Sequence, residues 1–129
     1  MKLTLEQVCI SNTSCRRIPH SPNVLNTMHW ATRLKWKNAW SEEVGWQILN
    51  QLKEREILKK KKGKKKVTIT YFQNKLYDKD NLYGSAKGCI DALRYNGLIA
   101  NDDPKSINLK LQQIKVAKRK EEHVEIIIE

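Results

Sequence analysis

The chain has 129 residues, 40% of them hydrophobic, with four tryptophans and a formal net charge of +11. Such a length bounds one domain with a core of modest size. No apolar run approaches the ~20 residues that a membrane helix needs, and MKLTLEQVCI lacks the apolar region and cleavage site of a signal peptide, so the expectation is a cytoplasmic protein with no membrane contact. The basic excess favours a nucleic-acid partner. Cys9, Cys15 and Cys89 are an odd number with no Cys-x-x-Cys pair; they read as three thiols rather than a disulfide framework or a thiolate zinc site.

Taken in order, Leu3 and Leu5 alternate with polar neighbours and predict a strand over residues 2 to 10. Residues 11 to 24, with Ser, Asn, Thr and two prolines, predict a loop that holds Arg16, Arg17 and His20. Asn26 is the expected cap of a helix running to about Arg55. In it Trp36, Trp40, Val44, Ile48 and Leu52 recur every four residues as a packing stripe. The first turns mix Asn26, His29, Trp30, Arg33, Lys35 and Lys37, an aromatic among bases, and read as candidate contacts to phosphate or base. Residues 59 to 66, KKKKGKKK, predict a flexible basic loop over about 58 to 66. Its Lys60, Lys61, Lys62, Lys64 and Lys65 are candidate DNA contacts, each neutralised phosphate adding salt-dependent affinity. Val67, Ile69 and Tyr71 predict a strand. Leu82, Ala86, Cys89, Ile90 and Leu93 predict a helix over 82 to 96 that packs on the sheet, with Gly84 and Gly88 reserved for close packing or substrate approach. A strand from Ile107, with a bulge where the apolar phase shifts to Ile114, then forms a hairpin with 124 to 128, whose Ile126-Ile127-Ile128 asks for a covering partner. The expected fold is α+β, a small mixed sheet with two main helices in the order β-α-β-α-β-β.

All five aspartates, Asp78, Asp80, Asp91, Asp102 and Asp103, fall between Tyr77 and Asp103. Clustered short carboxylates in a basic chain point to a hard cation bound by oxygen and facing a polyanion. With extended chain through Asp78-Lys79-Asp80, both carboxylates share one face. Lys87 and Asp91 share a helix face. Asn96-Gly97 stops the helix, and a short return delivers Asp102-Asp103-Pro104. One strand end, one helix and one loop are therefore expected to converge. Asp and Asn in such positions also serve as plain caps and turn residues.

The stretch resembles the RusA-like Holliday junction resolvases, carried mostly by phages and prophages. The resemblance rests on Asp78-Lys79-Asp80-Asn81, then Lys87-Gly88-Cys89-Ile90-Asp91-Ala92-Leu93, then Gly97-Leu98-Ile99 and Asp102-Asp103. It extends upstream to Asn26-x-x-His29-Trp30-x-x-Arg33. Five residues separate Asn81 from Lys87, a longer spacing than in the founding member. The resemblance implies Asp78, Asp80 and Asp103 as metal ligands, Lys87 as a catalytic lysine, and Asn81, Asp91 and Asp102 in support. It implies Mg²⁺, with Mn²⁺ as a substitute, a homodimer, and paired symmetric nicks in a four-way DNA junction. The metal would generate hydroxide and neutralise the pentavalent phosphate, with Lys87 stabilising its charge or orienting the water.

Two other readings compete. One is a non-catalytic nucleic-acid-binding phage protein whose aspartates cap helices and turns. The other is a metal nuclease for simple duplex or flap substrates. Serine or cysteine hydrolysis has little support, because Gly-x-Ser-x-Gly is absent and the three histidines are scattered.

Overall fold

The computed structural model describes residues 1–61, 63–101 and 103–129. Its strands are β1 (Lys2–Leu5), β2 (Val8–Cys9), β3 (Cys15–Arg16), β4 (Lys65–Gln73), β5 (Ile107–Lys115) and β6 (His123–Ile128). Its helices are α1 (Pro22–Leu25), α2 (Trp30–Leu49), α3 (Leu52–Lys60) and α4 (Lys79–Tyr95), with a 3₁₀ turn at Arg119–Glu121. The chain is thus α+β, with a mixed sheet in the order β1-β6-β4-β5 and a small β2-β3 hairpin. Among the described residues, no helix is long and apolar enough to cross a membrane.

Alternation builds the sheet's inner face. Leu3 and Leu5 of β1, Val67, Ile69 and Tyr71 of β4, and Val124, Ile126 and Ile128 of β6 are buried in one cluster. Val44 and Ile48 of α2 and Leu82, Ala86, Ile90 and Leu93 of α4 belong to the same cluster. The tryptophan stripe is a core stripe through Ile48, as its period predicts. Leu52 falls off it, because α2 ends at Leu49 and Leu52 opens α3 exposed. The outer edge of β1 is covered from α2. Thr4 N–H donates to Gln47 Oε1 at 2.8 Å, and Gln47 Nε2 donates back to the Thr4 carbonyl, which blunts an otherwise open strand edge.

Several expectations are corrected. The single helix expected from Asn26 to about Arg55 is divided between α2 and α3, and the short α1 lies in the expected loop before it. Ser21 caps α1, with Pro22 in the first turn, the arrangement that suits proline best. Asn26 sits at the C-terminal end of α1, and His29 caps α2, its Nδ1 accepting from Ala31 N–H. β5 and β6 do not form a hairpin. β6 lies between β1 and β4, antiparallel to both, whereas β5 runs parallel to β4 on the far edge. Neighbouring strands and helices therefore cover β6, and Ile127 stays half-buried on the open face. The β4–β5 register runs unbroken from Lys65–Ile107 to Gln73–Lys115, without a bulge. The apolar phase fails at 113 because that inward place holds a glutamine whose side chain grips other chain segments. Cys9 and Cys15 are register partners across β2–β3 and form a disulfide, leaving Cys89 as a buried thiol. A tight hairpin brings together two cysteines six positions apart that lack any recognisable spacing motif.

Candidate functional site

The aspartate segment begins where β4 ends. Gln113 of β5 accepts from Tyr77 N–H at 2.8 Å and donates to the Tyr77 carbonyl at 2.8 Å, and it also accepts from Gln73. Tyr77 O–H donates to the Pro19 carbonyl at 2.9 Å, and Arg16 reaches the same hydroxyl. These bonds fix the chain immediately before Asp78. Asp78 then caps α4: Oδ1 accepts from Asn81 N–H at 2.8 Å and Oδ2 from Asn81 Nδ2 at 3.1 Å. Asp80 is exposed in the first turn, where the helix dipole favours a carboxylate. The helix starts three residues earlier than its apolar stripe predicts. Asp78 and Asp80 therefore do not share the face that extended chain would give them, since i and i+2 point apart on a helix.

Along α4, Asp80, Lys87 and Asp91 follow one stripe, at spacings of seven and four residues. Lys87 is exposed, while Asp91 pairs with Arg94 at 3.7 Å rather than with Lys87. Asp103 lies beyond the other end of the helix. Its Oδ1 accepts from Ser106 N–H at 2.9 Å and its Oδ2 from Asn101 Nδ2 at 3.3 Å, closing the turn that enters β5. Asp102 lies outside the described residues.

The topology separates the two acidic ends. α4 leaves the C-terminal end of β4 and returns to the N-terminal end of a parallel neighbour. Tyr77 is held level with Gln113, whereas Asp103 precedes Ile107. Gln113 and Ile107 are six residues apart along β5, about 20 Å of extended chain. Among the described residues, no group of three His, Cys, Asp or Glu side chains is placed to hold one ion. The expected convergence of Asp78, Asp80 and Asp103 within one chain is corrected accordingly: these three carboxylates do not fit one cation in a single copy.

Two cavities flank α4. At its N-terminus, a cavity of about 720 Å³ brings Asp78, Asn81 and Glu122 together with Arg16, Arg17, Lys75 and Arg119. Alongside its middle, a groove of about 510 Å³ runs between α2 and α4. Trp30, Arg33, Leu34, Lys37, Lys87 and Asp91 line it, over His20, Trp36 and Trp40. His29 stands exposed beside Trp30, their rings 5.5 Å apart. Arg33 and Lys87 thus share a groove, and Asn26, exposed at the end of α1, is not among its lining residues.

The lysine segment divides. Lys60 ends α3, and Lys61 and Lys64 are exposed. Lys62 lies outside the described residues. Lys65 is corrected as a DNA contact: it is buried, its Nζ donates to the Leu98 carbonyl, and burial and the nearby Lys61 charge lower its pKa. It begins β4, so the alternation that buries Val67 buries it too. The segment therefore stands at the Asp103 end of the sheet, opposite Asp78.

Sequence reasoning missed Gln113, Gln73 and the depth of His20. His20 stacks edge-on to Trp36 at 4.8 Å, and burial, reinforced by Arg16, pushes its pKa down to about 4. Nothing local marks His20 for burial, because its partner Trp36 lies 16 residues on, in α2. No family model matches the chain, and no curated protein matches it.

Proposed function

We propose that the protein is a divalent-cation-dependent endonuclease for branched DNA, working as a pair of chains. The observation that carries this reading is the cavity at the start of α4, lined by Asp78, Asn81 and Glu122 together with Arg16, Arg17, Lys75 and Arg119. Carboxylate oxygen beside several cationic side chains suits a phosphodiester and a hard cation together. The motif resemblance from Asp78 to Asp103 supplies the reaction class and the preference for four-way junctions. Because Asp103 stands at the far end of α4, a three-carboxylate site is complete only between two copies. A two-fold pair also matches a junction in which two symmetry-related strands are cut.

A second reading has its own observation. Asp78 acts as a helix cap and Asp103 closes a turn, the roles they take in a non-catalytic DNA- or RNA-binding protein. Incubation with a labelled mobile four-way junction separates the two, comparing wild type with Asp80→Asn in Mg²⁺ and in chelator. The nuclease reading expects paired symmetric nicks from wild type in Mg²⁺ alone, with the variant still binding. Equal, tight binding by both proteins without any cut would leave the binding module. Competition with linear duplex tests the preference for junctions.

A further inference from the structure

We infer that the groove between α2 and α4 receives the bases of an unpaired DNA strand, stacking them on Trp30 while Arg33, Lys37 and Lys87 hold the phosphates. The inference rests on the DNA reading above but not on cleavage.

Trp30 is 64% exposed in the first turn of α2, although exposing an indole is unfavourable in a chain that could bury it. Its neighbour one turn on, Leu34, is also exposed and lines the same groove. The floor is aromatic, made by Trp36, Trp40 and His20. Two of these rings carry buried nitrogens, His20 Nδ1 and Trp40 Nε1, without a hydrogen-bond partner among the described residues. Such atoms are costly in an otherwise well-paired interior. A flat heterocycle suits an aromatic floor, because ring faces stack.

Charge selects the ligand class. Arg33, Lys37 and Lys87 are exposed around the groove. Asp91, the acidic side chain among the lining residues, pairs with Arg94. Three cations around an aromatic trough match a strand whose phosphates run outside its bases, the arrangement by which single strands are held. The volume, about 510 Å³, lies within the ordinary range for ligand pockets. Paired bases keep their faces stacked inside the duplex, so the groove favours strand opened at a branch or an end. Gly88 adds to this: a Cβ there meets nothing within 4 Å, which leaves the α4 wall open.

Trp46 provides the control. It is as exposed as Trp30, on the same helix, and does not line the groove. The experiment uses the whole protein in chelator and measures anisotropy of a short labelled single strand and of an equally long abasic strand, which keeps the phosphates and lacks the bases. Wild type and Trp46→Ala are expected to prefer the base-bearing strand by about ten-fold or more, the scale of one stacked base. Trp30→Ala should bind both strands alike. Equal affinity of wild type for the two strands, or retention of the preference by Trp30→Ala, would overturn the inference. Displacement of the strand by a free deoxynucleotide at similar concentration would overturn it in favour of a mononucleotide site. Junction cleavage is scored separately, so either result leaves the nuclease reading to its own test.

Discussion

Two glycines in α4, one turn apart, should respond to alanine with opposite signs. At Gly84 an added Cβ would stand 2.1 Å from Pro22 Cγ and 3.1 Å from its Cδ. Pro22 is a rigid ring in the first turn of α1, held by the Ser21 cap, so it cannot swing aside as a flexible side chain would. At Gly88 nothing lies within 4 Å. Replacing glycine by alanine inside a helix gains about 1 kcal/mol from backbone entropy, while forcing a methyl into a packed contact costs about 1–3 kcal/mol. Gly88→Ala should therefore stabilise by up to about 1 kcal/mol, and Gly84→Ala should destabilise by up to about 2 kcal/mol once the helix gain is subtracted. Urea unfolding reads this difference directly, since a gap of about 1–3 kcal/mol separates the midpoints by roughly 0.5 M or more at ordinary m-values. Pro22→Ala should relieve the Gly84→Ala variant, because the atoms that clash hardest are Cγ and Cδ. Equal midpoints for the two single variants would refute the reasoning, as they would show that α1 is not seated on α4.

Two further predictions concern charge. His20 has a folded pKa near 4 against 6.5 unfolded, so between those values the unfolded chain binds a proton that the folded chain refuses. Stability should fall as pH drops from 6.5 towards 4, by on the order of 2–3 kcal/mol. His20→Leu should flatten the unfolding midpoint over that window, and an unchanged pH slope would contradict the burial argument. Lys60→Ala and Lys64→Ala should each reduce the salt dependence of duplex binding by about 0.9 for every phosphate that the lysine neutralises, whereas Lys65→Met should leave it unchanged. A salt slope altered as much by Lys65→Met as by the exposed lysines would place that amine on the DNA.

The elements with strict periodicity were legible. The Trp36-Trp40-Val44-Ile48 stripe and the Val67-Ile69-Tyr71 alternation end in the core, because burial enforces the period that the chain displays. Strand neighbours were not legible. Nothing local in His123–Ile128 says that it pairs with β1 and β4 rather than with the strand just before it, because those partners are distant in sequence. The same topology hid the separation of Asp103 from Asp78. Their proximity in sequence suggested one site, but a parallel crossover puts the two ends of its helix at opposite ends of the sheet. Asp78 and Asn81 were legible as a pair because capping chemistry and ligand chemistry use the same short polar side chains. Gln113 was missed because its value lies in two backbone bonds to Tyr77, 36 residues away.

In the proposed nuclease, the acidic residues at the two ends of α4 act together across two chains. Mixing Asp80→Asn with Asp103→Asn, two proteins each expected to be inactive, tests this most directly. In a mixed pair, one composite site combines both substitutions and the other contains neither. Junction nicking in Mg²⁺ should therefore return on mixing and subunit exchange, at one active site per mixed dimer and as single-strand nicks rather than paired ones. Two inactive proteins that stay inactive when mixed, while size measurements show that mixed dimers have formed, would contradict the shared site.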